Sequence, residues 1–188
     1  MNQFEFLSIF ISIIIALGIS NILTSAMRLI RQRGRARMHP PTLVWMAVLF
    51  LLQMLIWWAA FNRRGSENWT FFRFLLYLMM PILVSVPGYL LVPEIQLELE
   101  PGYDLEGEFN HNKRWFFGII AAMVITTFVE YGVSKGPTEL DLSTAFRLVF
   151  IALCVTGMAM NGKRAQLLIA LAFLAALLTS IGLLFSRL

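Results

Sequence analysis

Residues Trp69–Val92 read WTFFRFLLYLMMPILVSVPGYLLV, 24 positions in which Arg73 is the sole charge. An α-helix rises about 1.5 Å per residue, so a run of this length covers the roughly 30 Å hydrocarbon core of a bilayer. A barrel strand would alternate apolar and polar side chains over about ten positions, and no such alternation is present. In hydrocarbon the backbone has to satisfy its own polar groups, so the segment is expected to be a helix. Five further runs repeat the pattern: Phe4–Leu29, Thr42–Phe61, Trp115–Val133, Thr144–Met160 and Ala165–Phe185, of 26, 20, 19, 17 and 21 residues. The run at Thr144 is short and carries Arg147. It is retained because dropping it would place Lys163 and Arg164 on the opposite side from the other dense basic clusters. The expectation is an all-α integral membrane protein, a six-helix transmembrane bundle with a proline-kinked third helix, forming one domain over residues 1–188.

Composition agrees. Of the 188 residues 59% are hydrophobic and 14% charged, against about 45–50% and 25% in soluble domains. The mean hydropathy is +0.74. Met1–Glu5 carries no basic residue and the first apolar run is too long for a signal peptide, so it is expected to remain as the first helix. Cys154 lies inside an apolar run and reads as a small buried hydrophobe. The net charge of +4 comes from basic residues bordering apolar runs, as topogenic charges do, so no nucleic-acid partner is expected. Arg28, Arg31, Arg33, Arg35, Arg37, Lys113, Arg114, Lys163 and Arg164 would share one side, and Arg63, Arg64, Arg73, Lys135, Arg147 and Arg187 the other. The nine-to-six split predicts that the first group is cytoplasmic and that both termini face outward. Trp57, Trp58, Trp69, Trp115 and Tyr131 fall near predicted helix ends, where amphipathic rings favour the headgroups.

The stretch 93–114 is the one sizeable extramembrane segment, an acidic cytoplasmic loop with Glu94, Glu98, Glu100, Asp104, Glu106 and Glu108. Ile95, Leu97 and Leu99 alternate with polar residues as a short strand would, while Leu105–Asn112 equally fits two turns of amphipathic helix. Asp104, Glu106 and Glu108 lack the glycine position and last ligand of a calcium loop.

Three groups of residues are candidates for function. Glu5, Arg73, Glu130 and Arg147 lie near helix ends at the same, outer leaflet. Their formal charges cancel, and cross-helix pairing would offset part of the cost of holding them in the membrane. They form either the mouth of an ion or proton pathway or four side chains snorkelling to the headgroups, and Glu130 with Arg147 is the closest pair in the topology. In the third helix, Pro81 and Pro87 would each free one carbonyl, at Tyr77 and Leu83. With Ser85 and Gly88 these residues make either a kink site for a cation or solute, or a plain bend that shapes packing. Arg31, Arg33, Arg35 and Arg37 could hold anionic lipid headgroups. In the first helix, Glu5, Ser8 and Ser12 share one face, and Gly18, Asn21, Ser25 and Arg28 nearly the opposite one, so no single polar stripe lines a pore. Small residues at Ala172, Ala176 and Ser180, and at Gly118, Ala122 and Thr126, suit close helix approach within or between protomers.

Catalytic groups do not assemble. The two histidines, His39 and His111, lie in predicted loops, which excludes bis-histidine haem. No zinc cluster, nucleotide-binding glycine motif or nucleophile elbow occurs. No enzyme activity and no cofactor are expected.

Glu5-Phe6-Leu7-Ser8, Trp57-Trp58, Trp69-Thr70-Phe71 and Lys113-Arg114-Trp115-Phe116-Phe117, spread over the first two thirds of the chain, resemble a loose family of small uncharacterised bacterial multi-pass membrane proteins. That resemblance implies a bacterial inner-membrane location and no particular activity. Two functional classes follow. One is a small ion or solute channel or transporter acting as a homo-oligomer. The other is a non-catalytic membrane subunit, sensor or scaffold working through a partner protein. The expected partners are the lipid bilayer and either a second copy or another membrane protein.

Overall fold

The computed structural model describes residues 3–31, 39–61, 70–92, 104–135 and 141–184, with side chains over 7–31, 39–61, 70–92, 104–132 and 141–184. Six helices account for nearly all of it: α1 (Gln3–Arg31), α2 (Pro40–Phe61), α3 (Phe71–Leu91), α4 (Leu105–Lys135), α5 (Leu142–Ala159) and α6 (Lys163–Leu184). All six are long and apolar enough to cross a membrane, as in a multi-pass membrane protein.

The main departure from the sequence reading is α4, which starts ten residues before the apolar run at Trp115. The stretch 105–114 is therefore helix and not loop. Its amphipathic spacing explains this. Leu105 and Phe109 are each 1% exposed and Lys113 follows at the next turn on the same face, so the helix gains a packed side without becoming apolar overall. Asp104 starts it: its Oδ1 accepts from the Glu106 N–H at 3.2 Å and its carbonyl from the Glu108 N–H at 3.2 Å. Glu106 and Glu108 fall in the first turn, where the helix dipole favours acids. The strand signal at 95–99 and the acids Glu94, Glu98 and Glu100 lie outside the described residues.

The other boundaries follow from caps. Thr70 Oγ1 accepts from the Arg73 N–H at 3.3 Å and begins α3, and Asp141 Oδ1 accepts from the Thr144 N–H at 2.7 Å and begins α5. The α5–α6 turn needs Gly162 at φ 102°, a left-handed conformation that suits glycine. The helix α3 is continuous through Pro81 and Pro87.

Helices α2, α3, α4, α5 and α6 each pack on the next, and α6 closes the ring against α2, while α1 packs on α2 and α3. One end of the bundle carries the start of α1, the α2–α3 and α4–α5 connections and the end of α6; this is the terminal end. The other carries the α1–α2, α3–α4 and α5–α6 connections; this is the loop-one end.

The halves are filled differently. Toward the loop-one end Trp45, 0% exposed, reaches across the ring. Its ring centroid lies 5.0 Å from Phe116, 5.3 Å from Phe117 and 5.1 Å from Phe173, and Phe109 joins the cluster 5.8 Å from Phe116. Since lipid tails are as apolar as the side chains they replace, dense packing of this kind is what holds membrane helices together. Toward the terminal end Leu7, Ile11 and Ile15 pin α1 to α2 and α3.

Polar contacts close the loop-one end. Lys113, 6% exposed, donates from Nζ to the Met160 carbonyl at 2.9 Å and to Asn161 Oδ1. Gln166 Nε2 donates to the carbonyls of Gly157 at 2.9 Å and Met160 at 2.7 Å. These carbonyls end α5 and have no partner within the helix. Phe117 lies so close to Gly157 that a side-chain methyl there would run into its ring. His39 is buried ahead of α2, with Nδ1 3.0 Å from Thr42 Oγ1. Burial pulls its pKa below the usual histidine value, helped by Lys163 and opposed by Glu106 and Asp104.

Candidate functional site

A cavity of about 680 Å³ occupies the terminal half of the ring. Every helix lines it from that half: Ile11 on α1, Leu52 to Ala60 on α2, Arg73 to Met80 on α3, Met123 to Tyr131 on α4, Ser143 to Phe150 on α5, and Phe173 to Leu184 on α6. Its deep wall is apolar, built from Leu52, Met80, Met123, Phe150 and Leu177, and Phe173 separates its floor from Trp45. Its upper wall is polar, with Arg73, Tyr77, Thr127, Glu130, Tyr131 and Arg147. It reaches the exposed residues Asp141 and Leu184. A volume of this order, apolar inside and with a few converging polar groups, is the usual form of a small-molecule site.

The charged residues singled out in the sequence meet here in part. Arg73, Glu130 and Arg147 all lie on the cavity wall. Glu5 lies in the first turns of α1, but its side chain is outside the described residues. Glu130 is 9% exposed. Arg147 is held over aromatic faces, its guanidinium carbon 5.0 Å from the Tyr131 ring centroid and 5.3 Å from that of Phe128. Contacts of this kind favour a cation more strongly as water is excluded. At the rim, hydrogen bonds from the backbone and side chain of Thr144 hold the Asp141 carboxyl below the usual carboxylate range.

The kink residues divide between two places. Tyr77 faces the cavity. Ser85, Pro87 and Gly88 are buried instead, and the last of these meets α1: a methyl on Gly88 would lie 3.2 Å from Asn21 Nδ2. Ser85 Oγ donates to the Pro81 carbonyl at 2.7 Å. A methyl on Gly18 would lie 2.5 Å from Ser85 Oγ and 2.8 Å from both polar atoms of the Gln53 amide, so the space beside Ser85 is occupied by protein. This is the seam in which the Gly18, Asn21 and Ser25 face of α1 is packed. Of the basic run, Arg31 ends α1 and is exposed, and Arg33, Arg35 and Arg37 lie outside the described residues.

No family model, no curated protein and no solved structure matches this chain. The cavity and its wall therefore have to be read on their own chemistry.

Two residues that the sequence reading passed over stand out. Gln53 is 0% exposed and neither amide atom has a hydrogen-bond partner among the described residues. A lone amide in the middle of an apolar run was the available signal. Lys113 reads as a topogenic charge in sequence, yet it is buried and ties α4 to the end of α5. Among the described residues no group of three or more His, Cys, Asp or Glu is arranged to hold a metal. The small residues of α4 and α6 are mixed: Ser180 is buried and Gly118 approaches Met158 of α5, whereas Ala122, Ala172, Thr179 and Gly182 are exposed on the outside of the bundle.

Proposed function

We propose that the protein is a solute-binding membrane protein of the carrier type, taking its solute into the cavity from the terminal end while the loop-one end is shut. The observation that carries this is the pairing of a cavity of about 680 Å³ in one half of the ring with the Trp45 aromatic cluster in the other. An open channel would need a continuous polar path. Here the deep wall is apolar, and aromatic rings and the Lys113 and Gln166 hydrogen bonds lie beyond it. The cavity is formed within a single chain, so this reading does not require a homo-oligomer to make the site. The basic-residue asymmetry supports an orientation with the terminal end outward, and the resemblance to small bacterial membrane proteins implies a bacterial inner membrane.

The test uses the natural lone cysteine. In a Cys154→Ala background, Thr127→Cys places one thiol on the cavity wall. Sealed vesicles of known orientation are treated with a membrane-impermeant maleimide from each side in turn. Rapid modification from the terminal side is expected, together with slow modification from the opposite side as the protein alternates. Modification from neither side would refute a water-accessible cavity. Equal rates from both sides would mean an open pore, and no reaction at all from the loop-one side would mean a receptor that does not alternate.

A further inference from the structure

The polar part of the cavity wall answers its own charges. Among the described residues it carries two guanidiniums, Arg73 and Arg147, and two carboxylates, Glu130 and Asp141, whose formal charges cancel. All four are already engaged. Arg147 lies over the rings of Tyr131 and Phe128 and attracts Asp141. Asp141 also accepts from the Thr144 N–H at 2.7 Å, and Arg73 and Glu130 each have an interaction partner. A solute with a net charge would enter a space whose charges are matched without it, and taking an ion out of water with no counter-charge is costly. A zwitterion would have to displace existing contacts to be met at both ends. An uncharged head needs neither. Thr127 on the same wall offers such a head a place. Its Oγ1 donates to the Val124 carbonyl at 2.6 Å, which uses its one proton and leaves its lone pairs to accept. The cavity then continues as apolar wall, from Met80 and Met123 to Leu177.

Resting on the solute-binding reading above, we propose that the cavity takes an uncharged amphiphile, with a hydroxyl head that donates to Thr127 Oγ1 and an apolar body that lies against Met80, Met123 and Leu177. A free long-chain alcohol arriving from water and a diacylglycerol of the bilayer share this chemistry.

The experiment uses the full chain in phosphatidylcholine nanodiscs and five probes, each with a diazirine near the end of an alkyl or acyl chain. Three are a sixteen-carbon alcohol and its matched sulfonate and trimethylammonium analogues, added from water; the last two stay ionised in a bilayer. The other two, a diacylglycerol and a phosphatidylcholine, are built into the disc. After illumination the labelled residues are mapped by mass spectrometry. Labelling at Met123 and Leu177 is divided by labelling at Ile125 and Leu178, which face outward on the same two helices, so that unequal uptake of the probes by the bilayer cancels. The alcohol or the diacylglycerol should give a ratio about tenfold above that of the sulfonate, the ammonium and the phosphatidylcholine, as expected when an ion must enter without a counter-charge. Which of the two uncharged probes gives the higher ratio assigns the source as water or bilayer. Thr127→Val should lower the ratio for the better uncharged probe roughly fivefold, the loss of one neutral hydrogen bond; the wild-type comparison stands even if the variant fails to fold. Equal ratios for all five probes, or a higher ratio for any charged or zwitterionic one, would overturn the uncharged head and leave the cavity reading intact. Labelling at Ile125 and Leu178 with none at Met123 and Leu177 by any probe would overturn both.

Discussion

The two halves of this bundle are built from the same six helices and nearly the same residue types, yet one is packed solid and the other is hollow. In the loop-one half, Trp45, Phe109, Phe116 and Phe117 fill the ring, and Lys113 and Gln166 satisfy the carbonyls that end α5. In the terminal half, aromatic side chains such as Tyr77, Tyr131, Phe146 and Phe150 also line the ring, yet the space between them stays open. Charges follow the same division. Lys113 makes hydrogen bonds to Met160 and Asn161 in the solid half, and Arg73, Glu130 and Arg147 lie on the wall of the cavity in the hollow half. The contrast teaches that rings packed on one another, as around Trp45, close one half, while rings spread around a wall leave the other open.

The largest effect should come from one substitution made in each half. Phe117→Ala should cost about 3–5 kcal/mol of stability, because the fully buried ring is held on all sides and leaves a new void. Phe150→Ala removes the same ring from the edge of an existing cavity, so less than half of that loss is expected. Thermal denaturation in a mild detergent checks both, and equal losses would break the distinction between the halves.

Next comes Gly157→Ala. The added methyl meets the buried Phe117 ring, and overpacking of this kind costs about 1–3 kcal/mol. Gly182→Ala, with nothing within 4 Å of the new methyl, should leave the melting temperature within a degree or so by the usual size of surface changes. A clear loss at Gly182 would instead mark that exposed face of α6 as a contact surface.

Lys113→Met keeps the stem of the side chain but removes the donor to Met160 and Asn161. A charged hydrogen-bonding group is worth about 1.5–3 kcal/mol. The variant should also raise thiol reactivity on the loop-one side of the bundle, if this latch is what holds that end shut. Unchanged stability and reactivity would remove Lys113 from the lock.

The smallest effect concerns pH. Burial lowers the pKa of His39, so the folded state favours the neutral ring, and the unfolded chain takes up a proton first as pH falls. The contribution of His39 is therefore fully present above the unfolded value of about 6.5 and declines as pH drops below it. Melting temperatures at pH 7.5 and 5.5 should differ more in the wild type than in His39→Gln. A slope of the same size in both would assign the pH dependence to other groups.

Much of the fold was legible in the sequence, and the reason is physical: a helix that crosses hydrocarbon needs a long apolar run, and six such runs can be counted. The start of α4 was less legible, because Leu105–Arg114 is polar on one side and fails an apolar-run criterion, although the spacing of Leu105 and Phe109 carried the signal. Arg73, Glu130 and Arg147 could be picked out because a charge is rare in an apolar run. The cavity itself was not legible. Leu52, Met123 and Leu177 line it, but in sequence they look the same as Leu17 or Leu183, which face outward. The direction a side chain faces depends on which helices are neighbours, and an apolar run is silent about that. The same silence let Lys113 read as a topogenic charge, since a basic residue at a helix end looks alike whether it faces water or a neighbouring carbonyl.

The most direct test of the division into lock and site is a ladder of single cysteines down α4 in a Cys154→Ala background, at Thr127, Val124, Ile120, Phe117 and Lys113, with the rate of reaction measured for a small water-soluble thiol reagent. The expected result is high reactivity at Thr127 and Val124, applied from the terminal side, and a sharp fall to background at Ile120 and Phe117. Reactivity that continues smoothly to Lys113 would describe an open pore, and uniform protection from Thr127 onward would describe a bundle without a site; either would contradict a hollow half seated on a closed one.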